Sequence, residues 1–583
     1  MSRWLALVAL SLLLQVVPSG AAAAQNVAVE APGPEKPEPA IEKKAYDLLQ
    51  TISEQVTNLH SPSNRVRAEC LIADLLWIRD EKRSRALFKT ASDDVTNAVA
   101  NLDFNDPEVY QQLQWLNQLR QEVVNRMAQH DPDMAMSFLR ATRLQVSTDP
   151  RAKWYADTET NMELQLAGLI AKQNPQRTLE LARATLRRGV SYGLITLLND
   201  LQRKDPRLAQ SLYKDIVDQV KSEDLEHNQE LANAAWSLVW FQPPQANEDI
   251  YRDLIGTLVN SALSITPNDQ SSINLAQNIY GQLQSVMPMV EKYVPARATA
   301  LQQWSQNAER TFDPSTRMYQ EINRLSQNGT VDDLLALALR YPSELQSQIY
   351  SQAAWKAFSS GDANRARQII TDFVSDPIQR RQMLTSFDNQ TLEAAINESR
   401  IADARQMLNR LKNVEMRIQI LTRLANNLAA KGDKKGALAL LNEGKTALES
   451  APPGSSQMWA QLQLARSYAS LDPDQSFAIV QPLIARANEL IAAAAVLDGF
   501  DARYLNEGEW IVPGTNSVGN VVNNLNQTLA VLGRIDFDRT GSIADQIQRP
   551  ELRLTAQLEI ARAALVGKTA NLPIDGSRMT MFH

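Results

Sequence analysis

Four histidines, His60, His130, His227 and His583, are the side chains best suited to proton transfer or zinc ligation, and they are scattered along the chain. Zinc needs three or four N, S or O ligands brought to one point. With neither an H-E-x-x-H pair nor a Cys/His cluster, the spacing predicts no metal site. Gly514-Thr515-Asn516-Ser517-Val518-Gly519-Asn520 has the glycine spacing of a phosphate loop, yet it lacks the Lys and Ser/Thr that would touch phosphate and magnesium. It also misses the G-x-S-x-G elbow, whose serine needs a strand-turn-helix. Asp536-Phe537-Asp538-Arg539-Thr540-Gly541 imitates the first half of a calcium loop, but its twelfth position is Ile547 where a bidentate acid is required. The acidic pairs Asp93-Asp94 and Asp332-Asp333 point in different directions on a helix, which suits solvated faces and helix starts better than acid/base catalysis. No catalytic residue, cofactor or metal is therefore expected, and the chain reads as a non-enzyme.

Aromatic residues offer a different chemistry. Trp236 and Trp240 stand one helical turn apart before Phe241 and Pro243-Pro244, and could grip a peptide, stack sugars or be buried in a helix pair. Trp510-Ile511 opens a Gly-rich stretch of the kind that often supplies a functional loop. Trp510, Ile511, Trp236 and Trp240 are thus the candidate partner-binding residues. The single cysteine, Cys70, cannot form an internal disulfide and lies in an apolar helical context, so a buried thiol is expected.

The elements that must position these residues are helices. Tyr46, Leu49, Ile52, Val56 and Leu59 recur every three or four residues, and this period returns almost throughout. Asp131-Pro132, Asn174-Pro175, Asp205-Pro206 and Asp472-Pro473 each join a capping side chain to a proline at the first helical position, where no N–H is missed. Gly361-Asp362 and Gly432-Asp433 combine a helix stop with a helix start. Ala135, Ala209, Ala366 and Ala437 follow these turns at matching offsets and would let paired helices approach closely. An echo at 377–380, 414–417 and 550–553 places Arg380, Arg417 and Arg553 at helix starts, each expected to pair with a neighbouring acid.

Repetition of one device is a repeat signal. Residues 421–448 resemble a tetratricopeptide-like unit, with Leu421, Leu424, Ala425 and Leu428 before Gly432-Asp433, then Ala437 and Leu441. Residues 350–377 resemble it less fully, through Tyr350, Ala353, Ala354, Gly361-Asp362, Ala366 and Ile370. The resemblance implies an all-α fold, an α-solenoid of antiparallel helical pairs.

Length and charge fit that class. At 583 residues the chain exceeds what one core of about 250–300 residues can serve, and a stack of repeats avoids that limit. The net charge of −7 and the lack of a basic block argue against nucleic-acid binding. Arg3, the apolar run Trp4 to Val17 and Ala22-Ala23-Ala24 read as a signal peptide cleaved near Ala24, giving a periplasmic or secreted protein without a transmembrane segment. The divisions read from the sequence are 1–24 signal peptide, 25–40 Pro-rich linker, 41–310 helical-repeat region and 311–500 tetratricopeptide-like region. They continue with 501–541 as a Gly-rich insert holding one short helix, 542–566 as C-terminal helices, and 567–583 as a flexible tail. The function expected is a non-catalytic scaffold for a protein or peptide, with self-association possible. The alternative is an extracytoplasmic polysaccharide- or cell-wall-acting enzyme, because some lytic transglycosylases look similar in their long α-superhelices. Glu398-Ser399 and Glu449-Ser450 share only a dipeptide with them.

Overall fold

The Asp-Pro and Asn-Pro steps at Asp131, Asn174, Asp205 and Asp472 each start a helix in the computed structural model. That model describes residues 39–566 except 104–105, 107–108, 144–151, 172–173, 226–228, 242–247, 399, 409–412, 450–453, 501–502 and 515. The predicted signal peptide, most of the linker, the tail and His227 lie outside the described residues.

The helices in chain order are α1 (Pro39–Gln55), α2 (Pro62–Leu76), α3 (Glu81–Ala100), α4 (Val109–His130), α5 (Pro132–Ala141), α6 (Ala152–Ile170), α7 (Pro175–Leu186), α8 (Tyr192–Lys204) and α9 (Pro206–Ser222). There follow α10 (Gln229–Ser237), α11 (Glu248–Ser264), α12 (Gln270–Tyr293), α13 (Pro295–Thr311), α14 (Pro314–Asn328), α15 (Val331–Ala338), α16 (Ser343–Ser359), α17 (Ala363–Phe373) and α18 (Pro377–Asn397). The last are α19 (Ile401–Leu408), α20 (Val414–Ala430), α21 (Lys434–Glu449), α22 (Ser455–Ala469), α23 (Pro473–Val496), α24 (Ser517–Gly533), α25 (Phe537–Ala544) and α26 (Pro550–Val566). Successive helices pack as adjacent pairs, and alternate helices pack in layers, so the fold is an all-α solenoid.

The local chemistry explains the pairing. Asp131 accepts a hydrogen bond from the Met134 N–H at 2.9 Å, Asn174 from Arg177 at 3.0 Å and Asp472 from Gln475 at 3.2 Å. Each satisfies a donor that the first helical turn leaves open. Gly361 and Gly432 adopt φ of +92° and +89°, the left-handed stop that a side chain would strain. Ala135, Ala209, Ala366 and Ala437 are all fully buried where the paired helices meet. The helix-start arginines depart from expectation. Arg380 and Arg553 donate to the main-chain carbonyls of Val374 and Ile547, while the buried Nε of Arg417 has no partner; Arg65, outside the echo, donates likewise to Leu59, in each of these three bonds six residues back. Arg380 and Arg553 fasten the incoming loop rather than meeting an acid, whereas Arg65 also donates to Asp94 at 2.6 Å.

Six apolar clusters succeed one another through Ala40–Leu565, which forms one compact unit. Leu87, Leu181, Ile479 and Phe537 each pack against two clusters, and α18 gives Phe387 to one and Leu392 to the next. The series returns to its beginning: Leu554, Leu558, Ala561 and Ala564 of α26 share a core with Ala45, Leu49 and Ile52 of α1 and Ile72 of α2. The helical path closes on itself.

The stretch 501–541 supplies the polar part of that closure. β1 (Leu505–Asn506) pairs antiparallel with β2 (Glu509–Trp510), joined by Glu507 and Gly508, both at positive φ as a type I′ turn requires. Buried Glu509 accepts from the backbone N–H of His60 at 2.6 Å and Ser61 at 3.1 Å, and from Asn64 Nδ2 at 3.3 Å. Asn64 also donates to the Trp510 carbonyl at 2.8 Å, and Arg67 donates to that of Val512. Gly514 and Gly519, the phosphate-loop look-alike, are in close backbone contact: a Cβ on Gly519 would sit 2.6 Å from Gly514. Their role is the tight entry to α24, which Asn516 caps at the Gly519 N–H.

Candidate functional site

Three parallel helices start at one edge of the solenoid. α20 packs on α22 and α22 on α24, while α21 and α23 cover other faces of the same helices. The first turns of α20, α22 and α24 line an open cleft of about 360 Å³, through Asn413, Met416 and Gln419, Ser456 and Trp459, and Ser517 and Asn520. Glu415 is the one acid in its lining. Trp459 is half-buried and Met416 is 40% exposed, so an apolar floor sits among hydroxyls and carboxamides.

The same chemistry continues along the helices. At helical spacing α22 presents Ser456, Trp459, Gln463 and Arg466, and α24 presents Asn520, Asn524, Gln527 and Val531, all exposed or half-buried. α20 adds Gln419 and Asn426, with Arg423 tied to Glu393 at its edge. A carboxamide offers both donors and an acceptor, as a peptide group does, so such rows can hydrogen-bond an extended main chain whatever its side chains. From Ser456 to Arg466 the helix rises about 15 Å, the length of about four or five extended residues.

Arg466 spans the gap between α22 and α24. Its Nη1 donates to Gln527 Oε1 at 2.6 Å and its Nη2 to Asn524 Oδ1 at 3.0 Å, while Nε is buried and has no partner. Burial, with no opposing acid, holds its guanidinium below the usual arginine range.

Of the residues singled out from sequence, Trp510 is 1% and Trp236 2% exposed, both within apolar clusters. Ile511 is half-buried and its N–H is used by Tyr504. Trp510 and Trp236 fill the interior because each lies on the face its element turns to the core, which corrects their assignment to a partner surface, while Ile511 keeps part of its side chain at the surface. Trp240 stands in the short 3₁₀ turn after α10 and is 50% exposed, apart from the cleft. Cys70 is buried, and desolvation pushes its thiol well above the usual range. Asp536 caps α25 at the Arg539 N–H, Asp333 accepts from the N–H of Thr330, the N-cap of α15, at 2.7 Å, and Asp94 accepts from Arg65 at 2.6 Å. No cluster of His, Cys, Asp and Glu fit to hold a metal occurs among the described residues. α23 is long and apolar enough to cross a membrane by length and composition, but Phe477, Val480, Leu483 and Ile484 bury one side of it in the core.

The face has a sequence signal: Asn520, Asn524 and Gln527 recur at four and three residues, and Ser456, Trp459, Gln463 and Arg466 at three, four and three. A polar stripe on one helix looks like ordinary solvated surface until its neighbours are known.

No family model matches the chain, and no curated protein matches it. Among solved structures it is similar to a circular tandem repeat protein with novel repeat topology and enhanced subunit contact surfaces, at 12% identity and a TM-score of 0.21 over 90% of this chain and 97% of that one. It is also similar to a homology model of the full-length AP-3 complex in an intermediate open conformation, at 14% identity and a TM-score of 0.20 over 90% and 82%. At such scores neither carries an argument, and the description of the fold stands on the helix packing itself.

Proposed function

We propose that this protein is a non-catalytic helical-repeat scaffold, tetratricopeptide-like in its paired helices, that acts in the periplasm or outside the cell and holds an extended segment of another protein. The observation that carries the proposal is the continuous carboxamide face of α20, α22 and α24 around a cleft floored by Trp459 and Met416. Carboxamides that pair with a peptide main chain supply affinity, and a half-buried tryptophan supplies an anchor for one apolar side chain. Export is supported by Arg3, the apolar run that follows and Ala22-Ala23-Ala24.

The test is selection of a displayed random-peptide library on the mature chain, residues 25–583, followed by affinity measurement. Selected peptides should bind at micromolar strength and lose at least tenfold with Trp459→Ala or with Asn520 and Gln527 both changed to Ala. Failure to select any peptide, or binders indifferent to these changes, would refute it. Binding of a second copy of the chain at the same face, seen as concentration-dependent association lost in the same variants, would redirect the partner to self-assembly.

A further inference from the structure

We infer, resting on the reading above, that the segment held on this face carries a carboxylate, and that Arg466 is the residue that receives it. Several other half-buried and buried arginines meet an acid or a main-chain carbonyl: Arg67 has Glu122, Arg65 has Asp94, Arg120 has Glu159, and Arg380 and Arg553 have the carbonyls of Val374 and Ile547. Even on the neighbouring helix, Arg423 is matched by Glu393. Arg466 has only the neutral oxygens of Gln527 and Asn524, although the chain has more acids than bases, 66 against 59.

A guanidinium has five donors in a planar fork that suits a carboxylate. Two are used here, one on each terminal nitrogen, so each keeps a second N–H, while the buried Nε has no partner. Gln527 and Asn524 hold the fork between the two helices, so its plane is fixed before any ligand arrives. A partly desolvated cation without an anion costs stability, and that cost is recovered when a carboxylate binds. Arg534, the C-cap of α24, lies two turns beyond Gln527 on the same stripe, is also desolvated, and has no acid partner either. The cationic end of the face is thus distinct from the cleft where α20, α22 and α24 begin, whose one charged lining residue is Glu415. An extended segment would place an apolar side chain over Trp459 and an acid about 10 Å farther on, since seven residues of helix separate Trp459 from Arg466.

The experiment resynthesises peptides selected by the display screen in matched forms: with Asp or Glu replaced by its amide, and with the C-terminus free or amidated. Fluorescence anisotropy then reports affinity for the wild type, Arg466→Gln and Arg466→Lys. Neutralising the acid should weaken wild-type binding at least tenfold, the effect of losing a charge-assisted pair. Arg466→Gln should erase that discrimination, and Arg466→Lys should keep part of it. The amidation arm identifies whether a side chain or the chain terminus supplies the carboxylate. Arg466→Met should melt no lower than the wild type, because no native acid is orphaned by its removal. Peptides that bind equally well without acids would overturn the inference and leave the scaffold reading standing. Arg466→Met melting several degrees lower would make the residue structural and overturn it too, whereas selection of no peptide would remove both proposals.

Discussion

The contact that closes the helical path makes a prediction with a magnitude. Replacing Glu509 with Ala removes the acceptor for the His60 and Ser61 N–H groups, at 2.6 and 3.1 Å, and for Asn64 Nδ2 at 3.3 Å. Ser61 and Glu509 are 1% and 8% exposed, so the Ser61 donor does not pass to water, while that of exposed His60 does so in part. Each orphaned buried donor costs about 1–3 kcal/mol. Against the two backbone donors stands the recovered cost of burying a carboxylate, and the net local loss is about 3 kcal/mol. Glu509→Gln keeps one oxygen and the shape of the side chain, and should lose about 1 kcal/mol. A global melt is a poor readout, since a repeat stack need not unfold in one step. Amide hydrogen exchange is local, and about 3 kcal/mol corresponds to roughly a hundredfold faster exchange. In Glu509→Ala that acceleration should appear across residues 60–64 and 505–512 and leave α14 to α18 unchanged. Exchange at residues 60–64 within a few-fold of the wild type would refute the assignment of closure to this carboxylate.

Other outcomes follow from buried charges. Glu69 is 3% exposed, and burial first, then the nearby Asp94, raise its pKa to about 7, partly opposed by Arg65. Its folded value exceeds its unfolded one, so the folded state binds the extra proton and stability falls as pH rises from about 4.5 to about 7. Allowing for screening, Glu69→Gln should remove about 1–2 kcal/mol of that decline, measured as urea midpoints at pH 5 and pH 8; an unchanged slope would count against it. Arg120 and Glu159 form a buried bidentate pair at 2.6 and 3.0 Å, joined by Asn117 and Thr142. Glu159→Gln should destabilise the α4–α6 region by about 3–5 kcal/mol, and changing both residues to Met should restore most of it. A double variant no better than the single one, by calorimetry, would contradict this.

How far the sequence could be read depended on how local each interaction is. The caps Asp131, Asn174, Asp205 and Asp472 act within three residues of themselves, and each starts the helix its Asp-Pro or Asn-Pro step implies. The arginines of the repeated helix starts were visible, but their acceptors are backbone carbonyls that exist only once the preceding loop has turned back. Trp510 and Trp236 look like surface grips in sequence because aromatics serve cores and interfaces alike, and burial is decided by tertiary packing. Glu509 meets the His60 N–H from 449 positions away, a distance over which no spacing rule operates. The cleft is legible for the same reason only after folding, since Met416, Trp459 and Asn520 come from three separate helical pairs.

The measurement that tests the central proposal most directly is hydrogen exchange of the mature protein with and without a saturating selected peptide. Slowed exchange confined to the first three turns of α20, α22 and α24, and absent in the Trp459→Ala variant, is the expected result. Protection elsewhere, or none on these helices at saturation, would contradict the assignment of the carboxamide face as the binding surface.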